Sequence, residues 1–344
     1  MYTKMGHLLD DRRIKLFRSR NLALRLTLFV FAFVCLLVIS FATYSPFRQQ
    51  VMLRVPRLLH DLYSTAEAHR KPAEFMSPEE VFQYLHWSNC AACQLPVDFG
   101  FVMARSGNPG GVAHPDGQKL VCLDQYIAPV YNNCHVYSFG INNQWTFDED
   151  MAQFGCHVYS FDPSMGANDH NRTSKIHFFN LGLAKENGQS PNGWKMKTAS
   201  SIYEMLADYH GSSALIDVFK MDIEFYEWEV IPQMVQSGFL RDKVKQLAVE
   251  IHLNIDDSLE SYQKRVRILQ DLESMDQTSS GSDGDHKQVG GGFVRFSSRI
   301  NPGLKRSIKI LGNKDDFWGF ELTWYNSKFY NSPSKPGPVS PYYQ

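Results

Sequence analysis

Two short motifs of the same form carry ionisable side chains. In FKMDIEFYEWEV, Asp222 and Glu224 stand one residue apart, and in AVEIH the same spacing separates Glu250 from His252. Each motif closes an apolar run of strand length, and alternate residues of a strand share a face. Acids and a histidine gathered at strand ends can take the proton from a hydroxyl, which is general-base chemistry. Asp222 or His252 is the expected base, with Glu224 as a third catalytic candidate. A different chemistry belongs to CHVYSFGINNQWTFDEDMAQFGCHVYSFDPS, residues 134–164. There Gly140, Asn142 and Asn143 follow a strand-like run, where a chain turning into a helix can present backbone N–H groups to a ligand. Asp162 ends the next apolar run, where a carboxylate is placed to accept both hydroxyls of a ribose. The pattern suits a nucleoside cofactor, although the spacing is not GxGxxG.

The elements that must position these groups alternate. Val136, Tyr137, Phe139 and Ile141 predict a buried strand; Phe147, Met151 and Phe154 recur at helical spacing behind Thr146 as N-cap, with Gly155 as the stop; residues 156–161 predict a second strand. Strand, crossover helix and strand form a right-handed parallel unit. Trp145 is expected to pack this helix. Further strands are expected over 175–183, 214–223 and 246–253. Helices are expected over 201–209, with Ser201 opening a capping box, over 228–236 with Gly238 as stop, and over 257–273 with its own capping box. Ser77, Pro78 and Glu80 form another helix start. Residues 293–300 and 317–325 predict two more strands, expected to be antiparallel. The segment 100–117 reads as a surface loop, 277–292 as a mobile loop, and the Pro-rich end as disordered.

Composition sets the outer limits. The chain has 344 residues, 43% of them hydrophobic, and a net charge of -1, enough for one sizeable core and without the basic balance of a nucleic-acid partner. Basic residues from Lys4 to Arg25 precede an uncharged apolar run over 26–42, close to the roughly 20 residues that cross a bilayer. The long basic lead favours a retained signal-anchor over a cleaved one, with cleavage after Ala42 as the rival. The positive-inside rule then gives a type II membrane protein facing the lumen of the endoplasmic reticulum or Golgi, or a secreted protein if cleaved. The resulting organisation is a cytoplasmic tail over 1–25, an anchor over 26–45, a stem over 46–76, a folded domain over 77–325 and a tail over 326–344.

Of six cysteines, Cys35 lies in the apolar run. The CxxC at Cys90 and Cys93 lacks a second ligand pair, so no metal is expected, and a disulfide or free thiols remain. Cys134 and Cys156 open two near-identical segments read as neighbouring strands; a bridge and two buried thiols are both open. Asn171-Arg172-Thr173 is a glycosylation sequon.

Seven strands with helices among the first five and a terminal hairpin are the pattern of class I methyltransferases. The segment VYSFGINNQWTFDEDMAQFGCHVYSFDPS resembles the nucleotide-binding stretch of the methyltransferase-like protein 24 family, and FKMDIEFYEWEV resembles the K-x-D-x-E motif that this family shares with FkbM-type methyltransferases. The CLD stretch at Cys122 and AVEIH extend the likeness over 77–325. The resemblance implies a Rossmann-like α/β fold with a mostly parallel seven-stranded sheet. It also implies S-adenosylmethionine as cofactor, with Gly140 at the turn and Asp162 on the ribose. Ser138 stands where an acid often precedes the first glycine, Asn142 and Asn143 replace later glycines, and Phe225 replaces the glycine that follows K-x-D-x-E. Ser138, Gly140, Asn142 and Asp162 are thus the expected cofactor contacts. The acceptor is a small molecule, glycan or protein, with a hydroxyl suggested by the FkbM likeness. The alternatives are a non-catalytic binding protein of the same fold and a lumenal glycosyltransferase, for which Asp222 and Glu224 would hold a metal against a diphosphate.

Overall fold

The computed structural model describes residues 71–105, 113–275 and 290–330. The expected tail, anchor and most of the stem, most of the loop at 277–292 and the Pro-rich end lie outside the described residues. Among the described residues no helix is long and apolar enough to cross a membrane.

Eight strands form the central sheet: β1 (His135–Phe139), β2 (His157–Phe161), β3 (His170–Asn171), β4 (Ile176–Phe179), β5 (Ile216–Met221), β6 (Val244–His252), β7 (Phe293–Ile300) and β8 (Gly319–Asn326). Their order is β7-β8-β6-β5-β1-β2-β4-β3. The pairings β4·β2, β2·β1, β1·β5 and β5·β6 are parallel; β8 runs antiparallel to β6 and β7. This is the Rossmann-like, mostly parallel sheet with a terminal antiparallel hairpin that the resemblance implies. The two-residue β3 is an edge addition that no apolar run marks.

The parallel strands are buried on both faces, as helices on either side require. Tyr137, Phe139, Tyr159, Phe161 and Phe219 face one core, with Phe139 and Phe161 stacked 4.5 Å apart. Helices α1 (Pro78–His86), α3 (Ala199–Met205), α4 (Glu227–Gln236) and α5 (Leu259–Glu273) supply residues to that core. Val136, Val158 and Val218 face the other, against α2 (Thr146–Phe154). Trp145 packs there, with the Arg172 guanidinium over its ring at 4.4 Å from the centroid.

Local boundaries differ from the sequence reading for identifiable reasons. The first strand ends at Phe139, because Gly140 takes φ +72° and turns the chain. Trp145, not Thr146, is the N-cap of α2, and the Thr146 hydroxyl accepts the Phe101 N–H at 3.2 Å. Thr198, not Ser201, caps α3, and α5 starts after Ser258 with Ser261 three residues on, so neither helix has a full capping box. The box at Ser77 and Glu80 is complete. The folded part reaches back past Ser77: Ala73 is buried, and its N–H donates to Gln270 of α5 at 3.1 Å. The stretch read as a surface loop contains the strands Val102–Arg105 and Ala113–Asp116, paired antiparallel.

Cys134 and Cys156, just ahead of β1 and β2, form a disulfide with Cα atoms 4.5 Å apart. Cys93 pairs with Cys122, leaving Cys90 exposed and unpaired. Cys122 ends the strand Lys119–Cys122, and buried Gln246 of β6 clasps that end. Its Oε1 accepts the Cys122 N–H at 2.7 Å, and its Nε2 donates to the Cys122 and Ile127 carbonyls. This clasp fixes Lys119 beside the carboxyl ends of β5 and β6.

Candidate active site

A cavity of about 600 Å³ opens at the carboxyl ends of β1, β2, β5 and β6, within the roughly 300–1,000 Å³ of small-molecule sites. Gly140, Asn142 and Asp162 line one side, and Asp222, Glu224, Glu250 and His252 line another. Strand ends on an open parallel sheet are where such sites form.

On the first side the turn is tied internally. The Gly140 N–H donates to the Phe161 carbonyl at 2.9 Å, and the Asn142 N–H donates to Asp162 Oδ2 at 2.7 Å. Asp162 Oδ1 accepts the Ser164 N–H at 2.8 Å and its hydroxyl at 2.6 Å. Asn142 and Asn143 hold φ of +42° and +59°, a conformation asparagine tolerates. The N–H groups of Gly140 and Asn142 are therefore committed to the protein, and Asp162 joins two turns while keeping acceptor capacity on Oδ2. Phe161, Pro163, Leu183 and Met196 supply apolar wall beside it. An apolar wall next to a buried carboxylate fits an adenosine moiety.

Ser138 takes no part in this cavity. It shares a face with Val136, on the α2 side, and donates to Asp148 Oδ2 at 3.2 Å. Its register partner Ser160 donates to Asp148 Oδ1. Asp148 is buried, which pushes its carboxyl up to about 6 even with Lys220 nearby. Ser138 thus anchors α2 to the sheet instead of contacting cofactor.

The second side is a charged cluster. Lys119, almost wholly buried, reaches Glu321 Oε1 at 2.6 Å, Glu250 Oε2 at 3.5 Å and Asp222 Oδ2 at 3.7 Å. Burial disfavours its charge, but Glu321, Asp222 and Glu250 outweigh that and raise its pKa. Burial, and then Glu250, hold Asp222 above the usual carboxylate range. Burial also works to raise Glu250, but Lys119 and His252 prevail and leave it lowered; Asn301 adds a hydrogen bond at 2.7 Å. Glu321 is pushed by burial up to about 8. His252 Nδ1 lies 3.3 Å from Glu227 Oε1, and its Nε2 lies 3.6 Å from Glu224 and 3.7 Å from Glu250. Burial would lower the imidazole, yet Glu227, Asp222 and Glu250 lift it to about 9. That shift favours the imidazolium at neutral pH and weighs against His252 as the base expected from sequence. Lys220, whose charge burial disfavours, donates to the Phe139 and Gly140 carbonyls at 3.0 and 2.7 Å, holding the first turn instead of pairing with Asp222.

The turn after β5 is strained. Glu224 and Phe225 have φ of +52° and +75°, unusual for residues with side chains. The Ile223 N–H donating to Glu227 Oε1 at 3.1 Å helps hold this shape. It leaves the Glu224 side chain 74% exposed and lays Phe225 on Trp318, ring centroids 6.2 Å apart and nearly parallel. Lys119, Glu227, Asn301 and Glu321 were not marked by sequence as part of the site; Glu321 alternates with Thr323 and Gly319 on a strand whose buried polar residues are a usable signal.

A family model for a methyltransferase domain matches residues 64–277. Methyltransferase-like protein 24 of Rattus norvegicus is 30% identical over 146 residues, and that of Homo sapiens 29% over 145. Each match covers 39% of this chain, and the chain spans 38% of the length of either relative. Among solved structures, a protein of Listeria monocytogenes described as an S-adenosylmethionine-dependent methyltransferase superposes with a TM-score of 0.30 at 10% identity, covering 58% of this chain and 94% of its own. One of Clostridium thermocellum described as an rRNA methylase gives 0.27 at 9%, covering 57% and 88%. The family match spans well over half of the sequence and takes in β1 to β6 with both sides of the cavity. The chain belongs to the methyltransferase-domain family.

Proposed function

We propose that this domain methylates a hydroxyl acceptor using S-adenosylmethionine. The observation that carries the reading is the single cavity shared by Gly140, Asn142 and Asp162 on one side and by Asp222, Glu224, Glu250 and His252 on another. Asp162, Asn142 and the apolar wall at Leu183 would hold the cofactor's nucleoside. When bound, S-adenosylmethionine supplies an electrophilic methyl group on sulfur. The chain must bring the acceptor oxygen to that carbon and remove its proton. Asp222 and Glu250 are engaged by Lys119 and His252 already carries a proton, so Glu224, exposed on the cavity wall, is the group that takes it. The adjacent imidazolium of His252 then steadies the acceptor side.

The location belongs to the same proposal. The apolar run over 26–42 behind a basic lead supports a type II anchor with the domain in the secretory lumen, or a secreted domain if the run is cleaved. Two disulfides and the exposed sequon at Asn171 fit an oxidising, glycosylating compartment. The acceptor would then be a glycan, protein or small molecule of that compartment.

Calorimetric titration of S-adenosylmethionine into the purified chain tests the reading, with Asp162→Asn beside it. Saturable binding that weakens on the order of tenfold in the variant, the scale of a lost charge-assisted hydrogen bond, is the expected result. A folded chain that takes up no S-adenosylmethionine sinks the proposal.

A further inference from the structure

The acid and histidine cluster is built for more than a proton transfer. β5 and β6 are in register with Met221 opposite Val249, so the next residues stand side by side, Asp222 just past the end of β5 and Glu250 still within β6. One ligand atom each from Asp222, Glu250 and His252 lies within 4.8 Å of the others. Lys119 approaches Asp222 through Oδ2 and Glu250 through Oε2. Glu250 Oε1 instead faces His252 Nε2 at 3.7 Å and accepts from Asn301 Nδ2 at 2.7 Å, which leaves it a second lone pair.

Two further features separate this cluster from a chance gathering of acids. His252 presents Nδ1 to Glu227, which is fully buried, and thereby aims Nε2 at the carboxylates. A carboxylate behind a histidine whose other nitrogen faces oxygen ligands is the arrangement that orients a metal-bound imidazole. In addition, Glu321 is 6% exposed and its Oε2 has no hydrogen-bond partner; ligand atoms of Glu321, Glu250 and Asp116 form a second group within 4.8 Å that shares Glu250 with the first. The carboxyl groups of this pocket outnumber Lys119 and His252, leaving negative potential for a cation.

We propose that Asp222, Glu250 and His252 bind a divalent cation of the manganese class, for which a mixed set of carboxylates and one imidazole is a suitable shell. The ion takes the place of the Nε2 proton, so with metal bound it is the ion, in place of the imidazolium, that stands beside the acceptor. Three protein ligands leave positions open toward the cavity, where an acceptor oxygen can bind and lose its proton to Glu224. This role for the ion rests on the methyltransferase reading, whereas the ion site itself does not.

The test is titration of Mn²⁺ alone into the full chain, followed by the loss of the free-ion electron paramagnetic resonance signal, with S-adenosylmethionine titrated separately into the same preparation. One saturable site is expected, weakened at least tenfold in Asp222→Asn and in His252→Gln, each checked for folding by circular dichroism without metal. Glu227→Gln, which leaves the three ligands in place, should weaken binding by roughly ten- to a hundredfold, as loss of an orienting partner does. Absence of saturable Mn²⁺ binding, or binding untouched by the ligand variants, overturns the ion site even where S-adenosylmethionine binds. Mn²⁺ binding without S-adenosylmethionine binding keeps the ion site and removes the methyltransferase reading.

Discussion

The chain passes so close to itself at Gly140 that a Cβ placed there would lie 1.6 Å from the carbonyl oxygen of Asp222. The glycine read from sequence as a ligand-facing turn is thus first a packing requirement between the ends of β1 and β5. Its φ of +72° adds a second barrier to any side chain. Gly140→Ala should cost at least about 3 kcal/mol in urea unfolding, since neither clashing backbone can yield. A loss under about 1 kcal/mol would show that the two turns move apart freely.

Asp148 sets a pH dependence of stability. Its folded pKa of about 6 lies above that of an unfolded aspartate, so the native state holds the proton more tightly. Its charge therefore disfavours folding above about pH 6, and the penalty fades as pH falls from there toward about 4. Asp148→Asn can still bond both serines, one of them with the hydroxyl turned to accept from the amide NH2, and should stabilise the domain near neutral pH by up to about 3 kcal/mol. That advantage should vanish near pH 4, as paired denaturation curves would reveal.

The Cys134–Cys156 bridge closes a separation of 22 residues. Replacing both cysteines with alanine should cost about 3 kcal/mol by the loop-closure account. Thiol counting under denaturing conditions provides the companion measurement: only Cys90 among the described cysteines should react before reduction.

Lys119 is the only lysine shown in contact with Asp222, Glu250 and Glu321 among the described residues. Lys119→Met matches its length but removes the charge, leaving buried acids without their partner. A loss of about 3–5 kcal/mol is expected from urea unfolding. Equal stability would mean that the acids rearrange to solvent.

The sheet was legible because parallel strands buried on both faces announce themselves as continuous β-branched and aromatic runs. The disposition of individual polar groups was legible only where the two-residue period was followed through. That period joins Glu250 to His252 within β6, and it equally places Ser138 beside Val136 on the α2 face, away from the cavity; it does not reach Glu224, which lies in the positive-φ turn after β5. The start of α3 shifted from Ser201 to Thr198, since Thr198, Ser200 and Ser201 offer competing caps; the N-cap of α2 falls one residue earlier, at Trp145, and the Thr146 hydroxyl is taken by the Phe101 N–H. Lys119 could not be read in advance: its partners Glu250 and Glu321 are 131 and 202 residues away, and no local pattern encodes such a meeting.

Phe225 carries an aromatic ring where backbone geometry alone would choose glycine. Its left-handed conformation, next to that of Glu224, costs on the order of 1 kcal/mol or more. Directed evolution for heat resistance would therefore be drawn to Phe225→Gly, which relaxes the turn and also deletes the ring stacked on Trp318. Thermal hardening and recognition at the cavity mouth pull in opposite directions at this one residue.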